Sequence, residues 1–214
     1  MAKSERIRYL AGLTKGCHTV VDIGSDHGFV LKEALEKHGV GRGIATDIRE
    51  KPLLQAKKNL EGLPVSYVLS DGFENVFEPF DCAVVSGMGA YLVSDIMACA
   101  PEDDRVTYVL QANDKIDVLR TRLALQGFTI KDEHVIRDGR YYVILVVRRG
   151  NSLLDEKDII IGPHLKRKKE ALGYYRYMAT RLKGIRKQAG TAATPSMDER
   201  IALFEEVVRD LESA

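Results

Sequence analysis

The sequence predicts an α/β protein with a mostly parallel, seven-stranded sheet that ends in an antiparallel hairpin and is followed by a small helical hairpin. Short apolar runs alternate with helical patterns through the first 150 residues. The apolar runs lack polar alternation, as expected of parallel strands that are covered on both faces. After residue 150 the strand-like runs stop. We therefore expect one domain over residues 1–150 and a helical domain over residues 151–214.

The parallel part is predicted from local patterns taken in chain order. Residues 1–10 form a short amphipathic pattern that predicts a first helix. Apolar runs predict strands at 19–23, 43–47, 65–69, 82–86 and 106–111. Helical periodicity marks 29–38, 51–61, 88–100 and 114–126, the last with Asn113 as its N-cap and Gly127 after its end. Sheets of this kind bind ligands at the carboxyl ends of their strands.

The end of the chain has a different pattern. Residues 128–136 and 140–149 flank Asp138-Gly139, a turn sequence typical of a β-hairpin. Apolar residues at three- and four-residue spacings predict one helix over 163–188 and another from about 196 onward, with a linker over 189–195. Matching apolar stripes and a short connection predict that these two helices pair antiparallel.

Composition excludes several classes of protein. The chain is 45% hydrophobic and 29% charged, which is ordinary for a globular protein. No apolar run reaches the roughly 18 residues that a membrane helix needs. The three cysteines lack C-x-x-C spacing, and the five histidines lack an H-E-x-x-H pairing. We expect a cytoplasmic monomer with no metal and no membrane partner.

The most informative motif is Val-Val-Asp-Ile-Gly-Ser-Asp-His-Gly at residues 20–28. Glycines have no Cβ, so Gly24 and Gly28 would let the backbone approach a ligand closely. A dinucleotide site has G-x-G-x-x-G and bare amides for a pyrophosphate. Here Asp22 and Asp26 interrupt the glycines, and carboxylates repel phosphate but attract a cation. S-adenosylmethionine carries an ammonium and a sulfonium, so the motif favours a methyltransferase over a dehydrogenase.

Other strand ends supply further polar groups for such a ligand. We expect Asp22 and Gly24 to line its methionine end. Asp47, about twenty residues on, could accept from both ribose hydroxyls, because a carboxylate offers two oxygens. Asp71 and Gly72 follow the third strand, where a carboxylate or amide can accept from the adenine amino group. Each of these segments is also compatible with an ordinary turn or helix cap.

Three features concern the base that would be modified. The Ser-Gly-Met-Gly-Ala segment at 86–90 leaves backbone groups open where a flat base could be held. His27 is compatible with a general base or with a structural hydrogen bond. Tyr91 or Phe29 could stack on an unstacked base.

A strongly basic segment lies between His164 and Gly190. It contains nine lysines and arginines against the single acid Glu170, a net charge of +8. No carboxylates at i,i+4 spacing compensate these charges, and three tyrosines are interleaved with them. A solvated helix face is the alternative, but the one-sided charge favours contact with a polyanion, of which nucleic acid is the obvious case.

Five motifs together resemble the family of bacterial tRNA adenine-N1 methyltransferases that modify adenine-22. They are Asp-Ile-Gly-Ser-Asp-His-Gly, Ser-Asp-Gly, Gly-Met-Gly, Leu-Gln-Ala-Asn and Ile-Gly-Pro-His-Leu, spread in order from about Arg6 to Lys168. The chain departs from the family where Ala90 replaces a glycine, Ala112 a proline, Ser86 an alanine and Asp47 a glutamate. The resemblance implies a class I, Rossmann-like fold and a coiled-coil-like C-terminal domain. It also implies tRNA as partner and S-adenosylmethionine as cofactor, with S-adenosylhomocysteine as product.

The motifs and the resemblance together assign the site residues. Catalytic roles are expected for Asp26, beside the adenine N6 amino group, and for Asn113, which would orient the base edge. Cofactor contacts are expected from residues at the strand ends, namely Asp22, Gly24, Ser25, His27, Asp47, Ile48, Asp71, Gly72, Ser86, Gly87 and Met88. RNA contacts are expected from basic residues, namely Arg6, Lys166, Arg167, Lys168, Lys169, Arg176, Arg181 and Lys183.

The sequence leaves two alternatives open. One is a methyltransferase that acts on another RNA or on a small molecule, although the basic segment disfavours a small molecule. The other is a non-catalytic protein that binds RNA and retains a cofactor pocket.

Overall fold

Seven strands form one sheet in the computed structural model, which describes residues 4–189 and 195–213. The strands are β1 (Thr19–Ile23), β2 (Arg42–Asp47), β3 (Val65–Leu69), β4 (Cys82–Met88), β5 (Thr107–Ala112), β6 (Phe128–Asp138) and β7 (Arg140–Arg149). Their spatial order is β3-β2-β1-β4-β5-β7-β6. The first five are parallel, and β7 runs antiparallel to both β5 and β6. The predicted α/β architecture is confirmed.

Helices cover both faces of the sheet. They are α1 (Glu5–Gly12), α2 (Phe29–Lys37), α3 (Glu50–Asn59), α4 (Ala90–Ala98), α5 (Ile116–Leu125), α6 (Glu156–Ile161), α7 (Leu172–Ala189) and α8 (Pro195–Ser213). Helices α1, α2 and α3 pack with Val20 and Val84 on one face. Helices α4 to α8 pack with Val21 and Val85 on the other. Burial on both faces explains why the parallel strands lack polar alternation.

The C-terminal helices differ from the sequence prediction. The prediction of a single helix over 163–188 is wrong, because the backbone is extended at Lys168 and α7 begins only at Leu172. Two short 3₁₀ turns, Leu165–Arg167 and Lys169–Ala171, fill the interval, and α6 was not predicted. Helices α7 and α8 pack antiparallel, since Arg176 pairs with Glu212 and Arg186 with Asp198. Most of the predicted linker, 190–194, lies outside the described residues.

Two further predictions fail around β4 and β5. Met88 does not begin a helix, because β4 continues through it to pair with Ala112 after an irregularity at Gly87 (φ +82°). Asn113 does not cap the following helix, which starts at Ile116 after Lys115 in a left-handed conformation. Both failures arise because the two loops bond to each other, with Asn113 N donating to Met88 O.

Within the described ranges, no helix is both long enough and apolar enough to cross a bilayer. The same residues contain no group of three His, Cys, Asp or Glu side chains arranged to hold a metal ion.

Candidate active site

A cavity of about 640 Å³ opens at the carboxyl ends of β1, β2 and β4. From β1 the sheet extends through β2 and β3 on one side and through β4 and β5 on the other, so the order of the strands switches direction between β1 and β4. Open α/β sheets bind ligands at such a switch point. The structure brings into its wall all eleven residues expected to contact a cofactor, together with Asp26. Phe29 and Arg6 also line it, whereas Tyr91 and Asn113 do not.

The two glycines of the β1–α2 loop serve different purposes. Gly24 has φ +72°, a left-handed conformation that favours glycine, and a Cβ there would meet the Met88 methyl carbon at 2.3 Å, so the glycine also leaves room for Met88 in the cavity wall. Gly28 has φ +70°, and a Cβ there would meet Leu60 Cδ1 at 2.6 Å. The expectation of a close ligand approach at Gly28 is therefore wrong, because this glycine makes room for packing between helices.

Two buried carboxylates lie at the floor of the cavity. Asp22 is 3% exposed and Asp47 is 5% exposed, at the ends of neighbouring strands. Burial raises the pKa of Asp22 to about 7; the hydrogen bond from Ser25 Oγ to Oδ2 (3.0 Å) opposes this rise, and the charge of Asp47 adds to it. The Oδ1 atom of Asp47 accepts from the backbone of Arg49 at 2.9 Å. A cation in the cavity would relieve the repulsion between these two groups.

The mouth of the cavity carries Asp26 and His27. Asp26 is exposed with φ +49°, a left-handed conformation that is uncommon for residues other than glycine, asparagine, aspartate and histidine. His27 Nε2 lies 3.5 Å from Asp26 Oδ2, and the His27 ring stacks on Phe29 with centroids 5.4 Å apart. The loop is held in place because Ser25 N donates to Thr46 O at 2.7 Å. Asp26 is thus displayed to solvent by a well-anchored turn.

Asn113 joins the site through hydrogen bonds. Its Nδ2 donates to Gly87 O at 2.6 Å, and its Oδ1 accepts from Gln111 Nε2 at 3.2 Å and Arg140 Nη2 at 3.1 Å. Arg6 Nη1 donates to Gln111 Oε1 at 2.8 Å. Sequence reasoning did not assign roles to Gln111 or Arg140, although Gln111 lies inside the Leu-Gln-Ala-Asn motif.

The turn after β3 is held by its own hydrogen bonds. Ser70 Oγ donates to Gly72 O at 3.0 Å and accepts from Asn75 N at 3.0 Å. Asp71 is exposed at the cavity edge. Its carboxylate is therefore available to a ligand at this end of the cavity.

The two aromatic candidates for base stacking lie in different places. Phe29 is 46% exposed in the cavity wall. Tyr91 is 51% exposed outside the wall, with Lys115 Nζ 4.9 Å and the Arg122 guanidinium 5.5 Å from its ring centroid. Of the two, Phe29 is the one placed beside both the cavity and Asp26.

The basic residues expected to contact RNA are partly neutralised. Lys166 pairs with Asp158, Lys168 with Asp132 (2.7 Å), Arg176 with Glu212 (2.7 Å) and Lys183 with Glu205. Helix α8 supplies two of these carboxylates, which spacing along α7 alone did not reveal. Among the described residues, Arg167, Lys169 and Arg181 form no ion pair. Arg6 lies apart from α7, with its guanidinium 5.2 Å from the Tyr142 ring centroid.

The hydrogen-bond acceptors of the cavity fit S-adenosylmethionine. Asp22 is placed to accept from an ammonium and Asp47 from ribose hydroxyls. Two buried carboxylates would oppose a pyrophosphate at the same position. The chemistry of the cavity thus agrees with a positively charged, phosphate-free ligand.

Comparison with known proteins gives concordant matches. A family model described as tRNA (adenine(22)-N(1))-methyltransferase matches residues 20–212. The tRNA (adenine(22)-N(1))-methyltransferase of Bacillus subtilis (strain 168) is 28% identical, covering 79% of this chain and 77% of its own. The crystal structure of the B. subtilis m1A22 tRNA methyltransferase matches with TM-score 0.75 and 25% identity, covering 98% of this chain and 97% of that one. A candidate tRNA (m1A22) methyltransferase from Streptococcus pneumoniae, in complex with S-adenosyl-L-methionine, matches with TM-score 0.81 and 26% identity, covering 96% and 99%.

Proposed function

This chain belongs to the tRNA (adenine(22)-N(1))-methyltransferase family, and we propose that it methylates N1 of adenine-22 in tRNA from the cavity at the ends of β1, β2 and β4. The observation that carries the proposal is that one cavity gathers the buried carboxylates, the glycine-lined floor and Asp26. We further propose that the protein acts as a cytoplasmic monomer, with residues 1–150 as the catalytic domain and 151–214 as the tRNA-binding domain.

The floor of the cavity holds the cofactor. S-adenosylmethionine, when bound, supplies an electrophilic methyl group. Asp22 accepts from its ammonium, and Asp47 accepts from the ribose hydroxyls. The turn at Asp71 and Gly72 contacts its adenine, and the methyl of Met88 covers the floor above Gly24.

The mouth positions the base. Adenine N1 has its own lone pair, so the chain needs neither a nucleophile nor a metal and works mainly by alignment. Methylation at N1 places positive charge on the ring and acidifies the N6 amino group. The carboxylate of Asp26 stabilises that charge. Asn113 accepts from the N6 amino group, and Phe29 stacks on the unstacked base.

The affinity for the cofactor should rise with pH. The pKa of Asp22 is about 7 in the free protein, so below that pH the carboxyl is neutral and must lose its proton to receive an ammonium. Calorimetry with S-adenosylmethionine should therefore show affinity falling by up to about tenfold per pH unit below 7 and levelling off above it. The Asp22→Asn variant should bind weakly with a flat profile between about pH 5.5 and 7, the range over which the wild-type affinity should change most steeply. A flat wild-type profile over that range would exclude this role of Asp22.

The unpaired cations of the basic segment should dominate tRNA affinity. Substituting both Arg167 and Lys169 with alanine should raise the KM for tRNA and reduce the log–log salt slope by about 0.7–0.9 for each phosphate that the variant no longer binds. The control is the double substitution of Lys166 and Lys168 with alanine. These lysines already bind Asp158 and Asp132, so the control should change the salt slope less. Equal slopes in the first variant and the wild type would remove Arg167 and Lys169 from the interface.

A direct assay tests the function. The purified chain is incubated with methyl-labelled S-adenosylmethionine and an unmodified tRNA transcript, and the digested RNA is analysed for 1-methyladenosine. The control substrate is the same transcript with guanine in place of adenine-22. We expect label in the first transcript alone. Equal labelling of both would point to another position or RNA, and cofactor binding without transfer would point to a non-catalytic protein.

A further inference from the structure

The side-chain oxygen of Asn113 already has two hydrogen-bond donors. Gln111 Nε2 approaches it at 3.2 Å and Arg140 Nη2 at 3.1 Å. An amide oxygen has two lone pairs, so both are used. An adenine amino group can bond to this oxygen only if one donor leaves.

The orientation of the Asn113 amide is set from within the protein. Arg6 can only donate, so Gln111 must present its oxygen to Arg6 Nη1 (2.8 Å) and its nitrogen to Asn113. Asn113 Oδ1 therefore faces Gln111, while its Nδ2 donates to Gly87 O. Gln111 is fully buried in β5 and has no room to withdraw.

Arg140 is the donor that can leave. It is exposed at the start of β7, directly after Gly139 (φ +72°), and its hydrogen bond to Asn113 is open to solvent. Its guanidinium lies 4.8 Å from the centroid of the Tyr142 ring. A guanidinium presents a planar fork of donors that matches a phosphate better than it matches a single amide oxygen.

We propose that Arg140 is a latch on Asn113, which a backbone phosphate of the tRNA next to the target adenine opens. In the free protein Arg140 occupies the lone pair that the adenine N6 amino group needs. A phosphate at the mouth binds the guanidinium, and Asn113 Oδ1 becomes available to the base. The latch makes acceptance of the base depend on the attached RNA backbone, and it rests on the proposed function.

Two substrates separate a latch from a simple phosphate contact. One is the unmodified tRNA transcript, and the other is the same RNA with uncharged methylphosphonate links on either side of the target adenine. The variant is Arg140→Ala. The control is Arg137→Ala on the same hairpin, because the Arg137 guanidinium lies over Tyr141, 5.7 Å from the ring centroid.

The latch predicts opposite effects on the two substrates. With the native transcript, Arg140→Ala should raise KM about tenfold, the size expected when a charge-assisted hydrogen bond is removed, and leave kcat unchanged. With the uncharged links, Arg140→Ala should increase kcat/KM several-fold over wild type, and Arg137→Ala should not.

Any other pattern overturns the latch. Equal kcat/KM for wild type and Arg140→Ala on the uncharged substrate, including no transfer by either, reduces Arg140 to a phosphate contact. A fall in kcat on the native transcript makes Arg140 a support for Asn113. Failure of the wild type on the native transcript would instead refute the proposed function.

Discussion

Replacing Asp26 by asparagine is expected to slow methyl transfer by about 10²–10³-fold, the range seen when one preorganised electrostatic group is removed from a transition state. The substitution removes the negative charge while keeping the size of the side chain. Asparagine tolerates the left-handed backbone at this position (φ +49°), so the loop should keep its shape. Because Asp26 lies at the mouth, S-adenosylmethionine affinity should change only a few-fold.

The measurement is a single-turnover rate at saturating tRNA and cofactor, with cofactor affinity taken from calorimetry. Asp104→Asn is a matched control, because Asp104 is an exposed carboxylate outside the cavity wall. Full activity of Asp26→Asn would refute the role of this carboxylate. Loss of cofactor binding in parallel with the rate would assign Asp26 to the cofactor instead.

Replacing Glu133 by glutamine is expected to lower the free energy of unfolding by about 3–5 kcal/mol, because it leaves a buried cation without its counter-charge. Arg120 is 1% exposed and Glu133 is fully buried, and Arg120 Nε donates to Glu133 Oε1 at 2.8 Å. Glu133 Oε2 also accepts from the backbone of His164 and Leu165, both at 2.9 Å. The pair thus joins β6 and α5 to the segment that leads into α7.

Denaturant unfolding measures this effect. The control is Glu212→Gln, which breaks the exposed pair with Arg176 and should cost at most about 1 kcal/mol. Equal losses for Glu133→Gln and Glu212→Gln would contradict the buried-charge argument.

The architecture of the sheet, and the meeting of the expected cofactor residues in one cavity, could be predicted because both depend on short stretches of chain. A buried parallel strand is recognisable from a short apolar run, and parallel strands end at one edge of the sheet. Residues as far apart as Asp22 and Met88 were therefore expected in one site, and they line one cavity. The family resemblance, carried by motifs of the same kind, is confirmed.

Pairings between distant segments could not be predicted. The Arg6–Gln111–Asn113–Arg140 network joins parts of the chain that are far apart in sequence, and no spacing along the chain indicates that these side chains bond to one another. All charged residues of helix α7 are cationic, and the carboxylates that pair with Arg176 and Lys183 lie on α8. The sequence of α7 alone therefore does not reveal that these charges are neutralised.

The sequence by itself determined the α/β class, the succession of the seven strands along the chain and the acidic, glycine-containing strand ends, since backbone conformation and side-chain periodicity are local properties. Only the tertiary structure decided where the helix after Gly162 is interrupted, that Arg120 and Glu133 are buried together, and which donors meet Asn113. Those outcomes depend on which side chains meet in space, and burial and hydrogen bonding between distant segments are settled only when the chain is packed.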